Sequence, residues 1–167
     1  MTRTAKMERG FTLTRVLDAP REDVFRAWAE PELLEWFRNP AFPARGPIEV
    51  DLRVGGTWKL MMVVDEETEY FTGGVYREIV PVERLVFTWG ASDGWPKIDR
   101  DRLDEAPLVT VLLNEVGDRT ELILDVALPD QWSDDSVRAW LASGTREGWG
   151  QTIDRLVAGV AGAARRD

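Results

Sequence analysis

Carboxylates are the residues of this chain with the plainest capacity for chemistry. Asp99, Asp101, Asp104 and Glu105 crowd one stretch, with Arg100 and Arg102 between them. Closely spaced oxygen donors can wrap a calcium ion, but a calcium loop also needs a glycine at its turn and a glutamate at its end. This stretch lacks that pattern and reads as a solvated loop. Asp65-Glu66-Glu67 is an acidic run at an expected hairpin tip and reads the same way. Gly55-Gly56 raises the question of a phosphate cradle. A cradle opens a helix and carries a Lys-Ser or Lys-Thr pair. Here "TWKLMMVVD" follows, an alternating strand pattern. The glycine pair is therefore expected to turn a β-hairpin, where positive φ is needed.

The chain has no histidine and no cysteine. That excludes a Ser-His-Asp triad, a histidine zinc site, a thiolate metal site and a thiol nucleophile. No catalytic constellation is recognisable in what remains. No metal or cofactor is expected, and the reading leans away from an enzyme.

The 167 residues are most simply one domain, with a formal net charge of −9. A nucleic-acid binder normally shows a basic face, and the only basic hint is the tail "GAARRD". Nucleic acid is not an expected partner. No apolar run approaches the roughly 20 residues a membrane helix needs. "MTRTAKMERGFTLTRV" has no apolar signal region, so the expected location is cytoplasmic.

The aromatic content is the other feature to explain, with eight tryptophans in the chain. The elements that must position them follow from periodicity. "GFTLTRVLDA" alternates as a half-buried strand. In "DAPREDVFRAWAE", Pro20 suits a helix start, Glu22 and Asp23 its first turn, and Val24, Phe25 and Trp28 a buried stripe. "PELLEWF" starts a second short helix, and "RNPAFPARGP" is irregular. Alternation returns in "PIEVDLRV", "TWKLMMVVD", "EYFTGGVYREI", "VERLVFTW", "LVTVLLNEV" and "RTELILDVAL". Gly73-Gly74 inside a strand suggests a bulge or a sharp bend. The residues from about Asp134 to Ala164 read as one long amphipathic helix. Ser133 is its N-cap, and Leu141, Thr145, Gly148, Trp149, Thr152, Ile153, Leu156 and Val160 lie on one face. Trp140 falls outside that face, and Trp95 is stranded in the long polar loop. Both are candidates for a lid or partner contact. The expected fold is α+β: a curved antiparallel sheet wrapped around a C-terminal helix, with two short helices after the first strand.

"DAPREDVFRAWAEPELLEWF", "VDLRVGGTWKL", "GGVYREIVPVERLVFTW" and "GWGQTIDRL" together carry a family likeness. In order and spacing they resemble the START-like helix-grip (SRPBCC) superfamily. Within it they resemble the group named after the activator of the heat-shock chaperone ATPase. The likeness covers about residues 10–160, and the longer loop from Ala91 to Pro107 departs from it. The resemblance implies about seven strands gripping the long helix. It also implies tails at residues 1–9 and 164–167 around one domain at 10–163, and an apolar cavity between sheet and helix. It further implies a role in binding a small hydrophobic molecule. The alternatives are cyclase, dehydratase or hydrolase chemistry on an aromatic or polyketide-like compound, or a chaperone-modulating module of the stress response. Self-association is a further possible partnership.

On that likeness the cavity lining is Trp58, Leu60, Met62, Phe71, Val75, Tyr76, Leu85, Phe87 and Trp89 from the strands. Thr145, Gly148, Trp149 and Thr152 face them from the helix, Gly148 leaving space. Trp36 and Phe37 stand at the entrance. Pockets of this kind are mostly apolar with few polar anchors. The same side chains are also what any sheet-on-helix core requires, since burying each is worth roughly 1.5–3 kcal/mol.

Overall fold

Strict alternation makes the centre of the sheet. Val109, Val111 and Leu113 turn inward from β7 (Leu108–Val116), and Leu122, Leu124 and Val126 from β8 (Arg119–Ala127). Gly117, at φ 62°, and Asp118 close the hairpin between them. A computed structural model describes residues 9–30, 33, 34, 36, 48–63, 69–91 and 106–164. Around β7 and β8 it places β1 (Gly10–Leu17), β2 (Glu49–Val50), β3 (Thr57–Val63), β4 (Glu69–Val80), β5 (Arg84–Thr88) and β6 (Gly90–Ala91). The antiparallel order is β1-β8-β7-β5-β4-β3-β2, with the two-residue β6 paired to β4. The helices are α1 (Arg21–Ala29), α2 (Asp134–Ala142) and α3 (Thr145–Ala164). Their packing against β1, β7 and β8 completes an α+β helix-grip fold with seven strands on the main path.

Local chemistry explains most boundaries. Pro20 caps α1, and Glu22 and Asp23 lie in its first turn, where acidic groups favour the helix dipole. Of the expected second short helix, the described residues Leu33, Leu34 and Trp36 are in 3₁₀ conformation. Gly55, at φ 87°, turns β2 into β3, and Val50 pairs with Trp58, as the hairpin reading requires.

Gly73 and Gly74 serve close approach rather than a bulge. A Cβ on Gly73 would lie 2.1 Å from the Trp58 carbonyl oxygen, and one on Gly74 would lie 1.7 Å from that of Thr88. The register shift in β4 falls later, between Tyr76 and Glu78.

The C-terminal segment is two helices, which corrects the single long one. Ser133 accepts a hydrogen bond from the Ser136 N–H at 3.1 Å, so the N-cap stands. Gly144, at φ 90°, then ends α2 in the left-handed conformation favoured just past a helix end. The break resets the helical phase, so Trp140, which a continuous helix turned away from the core, is only 4% exposed. Its ring stacks with Phe11 at 6.3 Å and meets Trp89 at 6.0 Å and Trp132 at 6.3 Å. Arg15 shares the inward parity of β1 and reaches Asp154 of α3 at 2.9 Å.

Two substitutions should move stability in opposite directions. Gly74→Ala forces a methyl group into backbone and should cost about 3 kcal/mol or more. Val82 sits at φ 71° in the turn where the Glu83 N–H meets the Val80 oxygen at 3.0 Å. Left-handed backbone costs a non-glycine residue about 1–2 kcal/mol, and glycine adds about 0.5–1 kcal/mol of chain entropy. Val82→Gly should therefore stabilise the protein by up to about 1 kcal/mol. Urea denaturation midpoints check both.

Candidate ligand-binding site

The inner faces of β3, β4 and β5 converge under α1 and the 3₁₀ turn. Trp58, Tyr76, Leu85 and Phe87 rise from the strands, and Trp28 and Leu34 descend from the helical side. Together they line a cavity of about 10 Å³. That is close to the least space that holds one water molecule. The rings fill most of the remaining room. Phe87 meets Trp58 edge-on at 5.2 Å and Tyr76 at 6.3 Å, and Trp28 meets Trp36 edge-on at 4.8 Å.

The expected lining divides into groups. Trp58, Tyr76, Leu85 and Phe87 surround the cavity, with Leu60 and Val75 buried in the same strands. Trp36 packs on Trp28 at its outer side. Trp89 and Trp149 meet each other at 5.2 Å and belong to the rings around Trp140. Thr152 is buried, and its hydroxyl donates to the Gly148 carbonyl at 2.8 Å. Thr145 is half-buried near the helix break, within 2.9 Å of the Ser143 hydroxyl. Gly148 is the misplaced member. It faces solvent, and a Cβ there would meet nothing within 4 Å, so it clears no space inside. Phe37 and the side chains of Met62 and Phe71 lie outside the described residues, as do Trp95, Asp65, Glu66, Glu67, Asp99, Asp101, Asp104 and Glu105.

The sequence reading missed Trp28 and Leu34 as cavity residues. Trp28 was visible in the buried stripe of α1, but periodicity says only that a residue faces inward. It does not say which strand it faces.

Polar groups near the cavity are sparse. Burial, helped by the Asp51 charge, pushes the Tyr76 phenol well above its ordinary pKa of 10.0, so it stays neutral. Trp36 donates its indole N–H to the Ala27 carbonyl at 2.9 Å. Arg155 of α3 donates Nε–H to the Trp36 carbonyl at 2.9 Å, and burial lowers its pKa. These two bonds tie the 3₁₀ turn to α1 and α3. Among the described residues, no group of three or more His, Cys, Asp or Glu side chains could hold a metal ion. Nor is any helix of the described residues long and apolar enough to cross a membrane.

A curved antiparallel sheet gripping C-terminal helices, with an apolar cavity beneath the first helix, defines the START-like helix-grip class. The chain belongs to the family described as activator of Hsp90 ATPase homolog 1-like protein, whose model matches residues 18–161. No curated protein matches it. Among solved structures it is similar to a protein from Arthrobacter aurescens, with 22% identity and a TM-score of 0.75 over 92% of this chain and 86% of that one. It is also similar to CV1439 from Chromobacterium violaceum, with 26% identity and a TM-score of 0.64 over 90% and 96%. DynU16, a protein in the dynemicin biosynthetic locus, shares the fold at 17% identity and a TM-score of 0.64. The match covers 93% of this chain and 48% of that one.

Tyr76 gives the site a pH signature. Below the ordinary phenol pKa of about 10 the phenol is neutral in folded and unfolded chains alike, and its contribution to stability is complete. Above it, the unfolded chain releases a proton that the folded chain retains, so stability falls as pH rises towards the folded value. At about pH 11, phenolate absorbance from Tyr76 should appear only with unfolding. Tyr76→Phe should flatten that part of the stability–pH curve.

Proposed function

We propose that this chain binds a small apolar or aromatic molecule, without transforming it, in the space between β3–β5 and the α1–3₁₀ segment. The observation that carries the reading is the cavity itself. Aromatic rings converge on a void whose lining residues are all apolar or aromatic. The only titratable group in that lining is a phenol held neutral. Such a wall suits an apolar guest and offers no acid–base pair for catalysis.

The void as it stands is far smaller than the roughly 150 Å³ that admits a benzene ring. Binding therefore requires the 3₁₀ turn to move. Displacing Trp36 breaks its bond to Ala27 and the Arg155 bond to its carbonyl, each worth about 1 kcal/mol. It also separates the Trp28–Trp36 pair, worth about 0.5–1.5 kcal/mol. The closed form is therefore favoured, and apparent affinity falls by the fraction of molecules that are open.

Calorimetric titration with indane tests this reading. Leu85→Phe fills the cavity and should abolish binding while circular dichroism reports an intact fold. Gly148→Phe, on the solvent face, should bind indane like the parent. Unaltered binding by Leu85→Phe, or no binding by the parent, would defeat the proposal.

A further inference from the structure

We propose that the free edge of β1 is a docking edge for the β1 of a second copy of this chain, and that Arg15 holds it closed.

β1 ends the sheet: among the described residues it pairs with β8 and with no other strand. The Leu128 N–H bonds the Arg9 carbonyl at 2.8 Å, in line with the β1–β8 register. Backbone groups alternate in direction along such a strand. Those of Phe11, Leu13 and Arg15 therefore also face β8, and those of Thr12, Thr14 and Val16 face outward. Thr12, Thr14 and Val16 are all exposed. An outward row of N–H and C=O groups is a template for another strand. The opposite edge of the sheet, β2, is two residues long and offers little to pair with, whereas β1 runs for eight.

The occupant that matches this edge is β1 itself. An antiparallel pair about a two-fold axis at Thr14 sets Thr14 opposite Thr14, Thr12 opposite Val16 and Phe11 opposite Leu17. These are β-branched or apolar matches, the kind that stabilises neighbouring strands. The one mismatch is Arg15 opposite Leu13. Arg15 is the only charged residue of β1. It shares the face of the buried Phe11, Leu13 and Leu17, and a charge turned to that face of an edge strand opposes pairing. Its guanidinium also blocks the edge directly. Nε donates to Asp154 of α3 at 2.9 Å, and Nη1 donates to the Thr14 carbonyl at 2.9 Å. That carbonyl is the central acceptor of the outward row. In the two-fold register the two Thr14 residues exchange hydrogen bonds, so each guanidinium must leave its carbonyl first.

The test compares the full-length parent with Arg15→Thr/Asp154→Asn. The two changes cancel in net charge and add no large apolar side chain. Sedimentation equilibrium should show self-association at least about tenfold stronger than the parent's, since two guanidinium groups no longer have to be displaced. Hydrogen exchange read by NMR should show the Thr12, Thr14 and Val16 N–H groups gaining protection as concentration rises. Adding Thr14→Pro removes an outward N–H without touching a bond to β8, and should return association to the parent's level. No gain in association by the double variant, with circular dichroism intact, overturns the inference. A gain that survives Thr14→Pro places the contact on another surface and overturns it as well. In the parent, the N–H groups of Thr12, Thr14 and Val16 should exchange well before those of Phe11, Leu13 and Arg15. Equal protection of the two sets there means that the edge is already covered, and overturns the inference without recourse to any variant.

Discussion

The approach of three backbones at Gly73 and Gly74 is the constraint on which the interior depends. β4 is flanked there by β3 and β5 so closely that neither glycine has room for a Cβ. The missing side chain at Gly74 leaves the space that the Trp58 indole occupies, its Nε1 standing 3.0 Å from where that Cβ would be. Gly74 and Trp58 are direct cross-strand partners, so the aromatic ring covers the backbone that glycine leaves bare. Thr88, fully buried on the other side, accepts the Val75 N–H at 3.1 Å and holds β5 at the same distance. Trp58 is thereby aimed at Phe87, and Phe87 at Trp28.

Once those rings are aimed, the interior is nearly full. Large aromatic side chains bury much area but pack with fixed shapes, so small gaps remain where three or four of them meet. The cavity is such a gap. Leu34 of the 3₁₀ conformation closes it from the helical side, next to Trp36, whose indole bonds α1 and whose carbonyl accepts from Arg155 of α3. The second set of rings, around Trp140, packs in the same aromatic manner at the helix break. There it joins the start of β1 and the loop before α2 to both C-terminal helices.

Family membership and fold were legible in the sequence because they rest on local periodicity and turn chemistry. The alternation of β7 and β8, the Gly55 turn, the acidic first turn of α1 and the Ser133 cap need only nearest neighbours in the chain. The helix break was harder. Gly144 follows Ser143 inside an otherwise helical pattern, and a glycine there either interrupts a helix or is tolerated within it. Reading through it put Gly148 inside and Trp140 outside, and both assignments reversed. Trp28 and Leu34 were missed because a stripe on a helix does not name its partner strand.

The sequence by itself determined the period of each element, and hence which residues must be buried, the antiparallel class of the sheet and the exclusion of histidine and thiol chemistry. These are properties of residue type and spacing, with ranges of a few residues. Only the tertiary structure decided which rings share a void, that the void is water-sized, that Tyr76 is held neutral and that the Trp28 N–H has no partner among the described residues. Those depend on distances between residues far apart in the chain. Volumes, local dielectric and hydrogen-bond geometry are set by the packing of whole elements and have no counterpart in the order of residues alone.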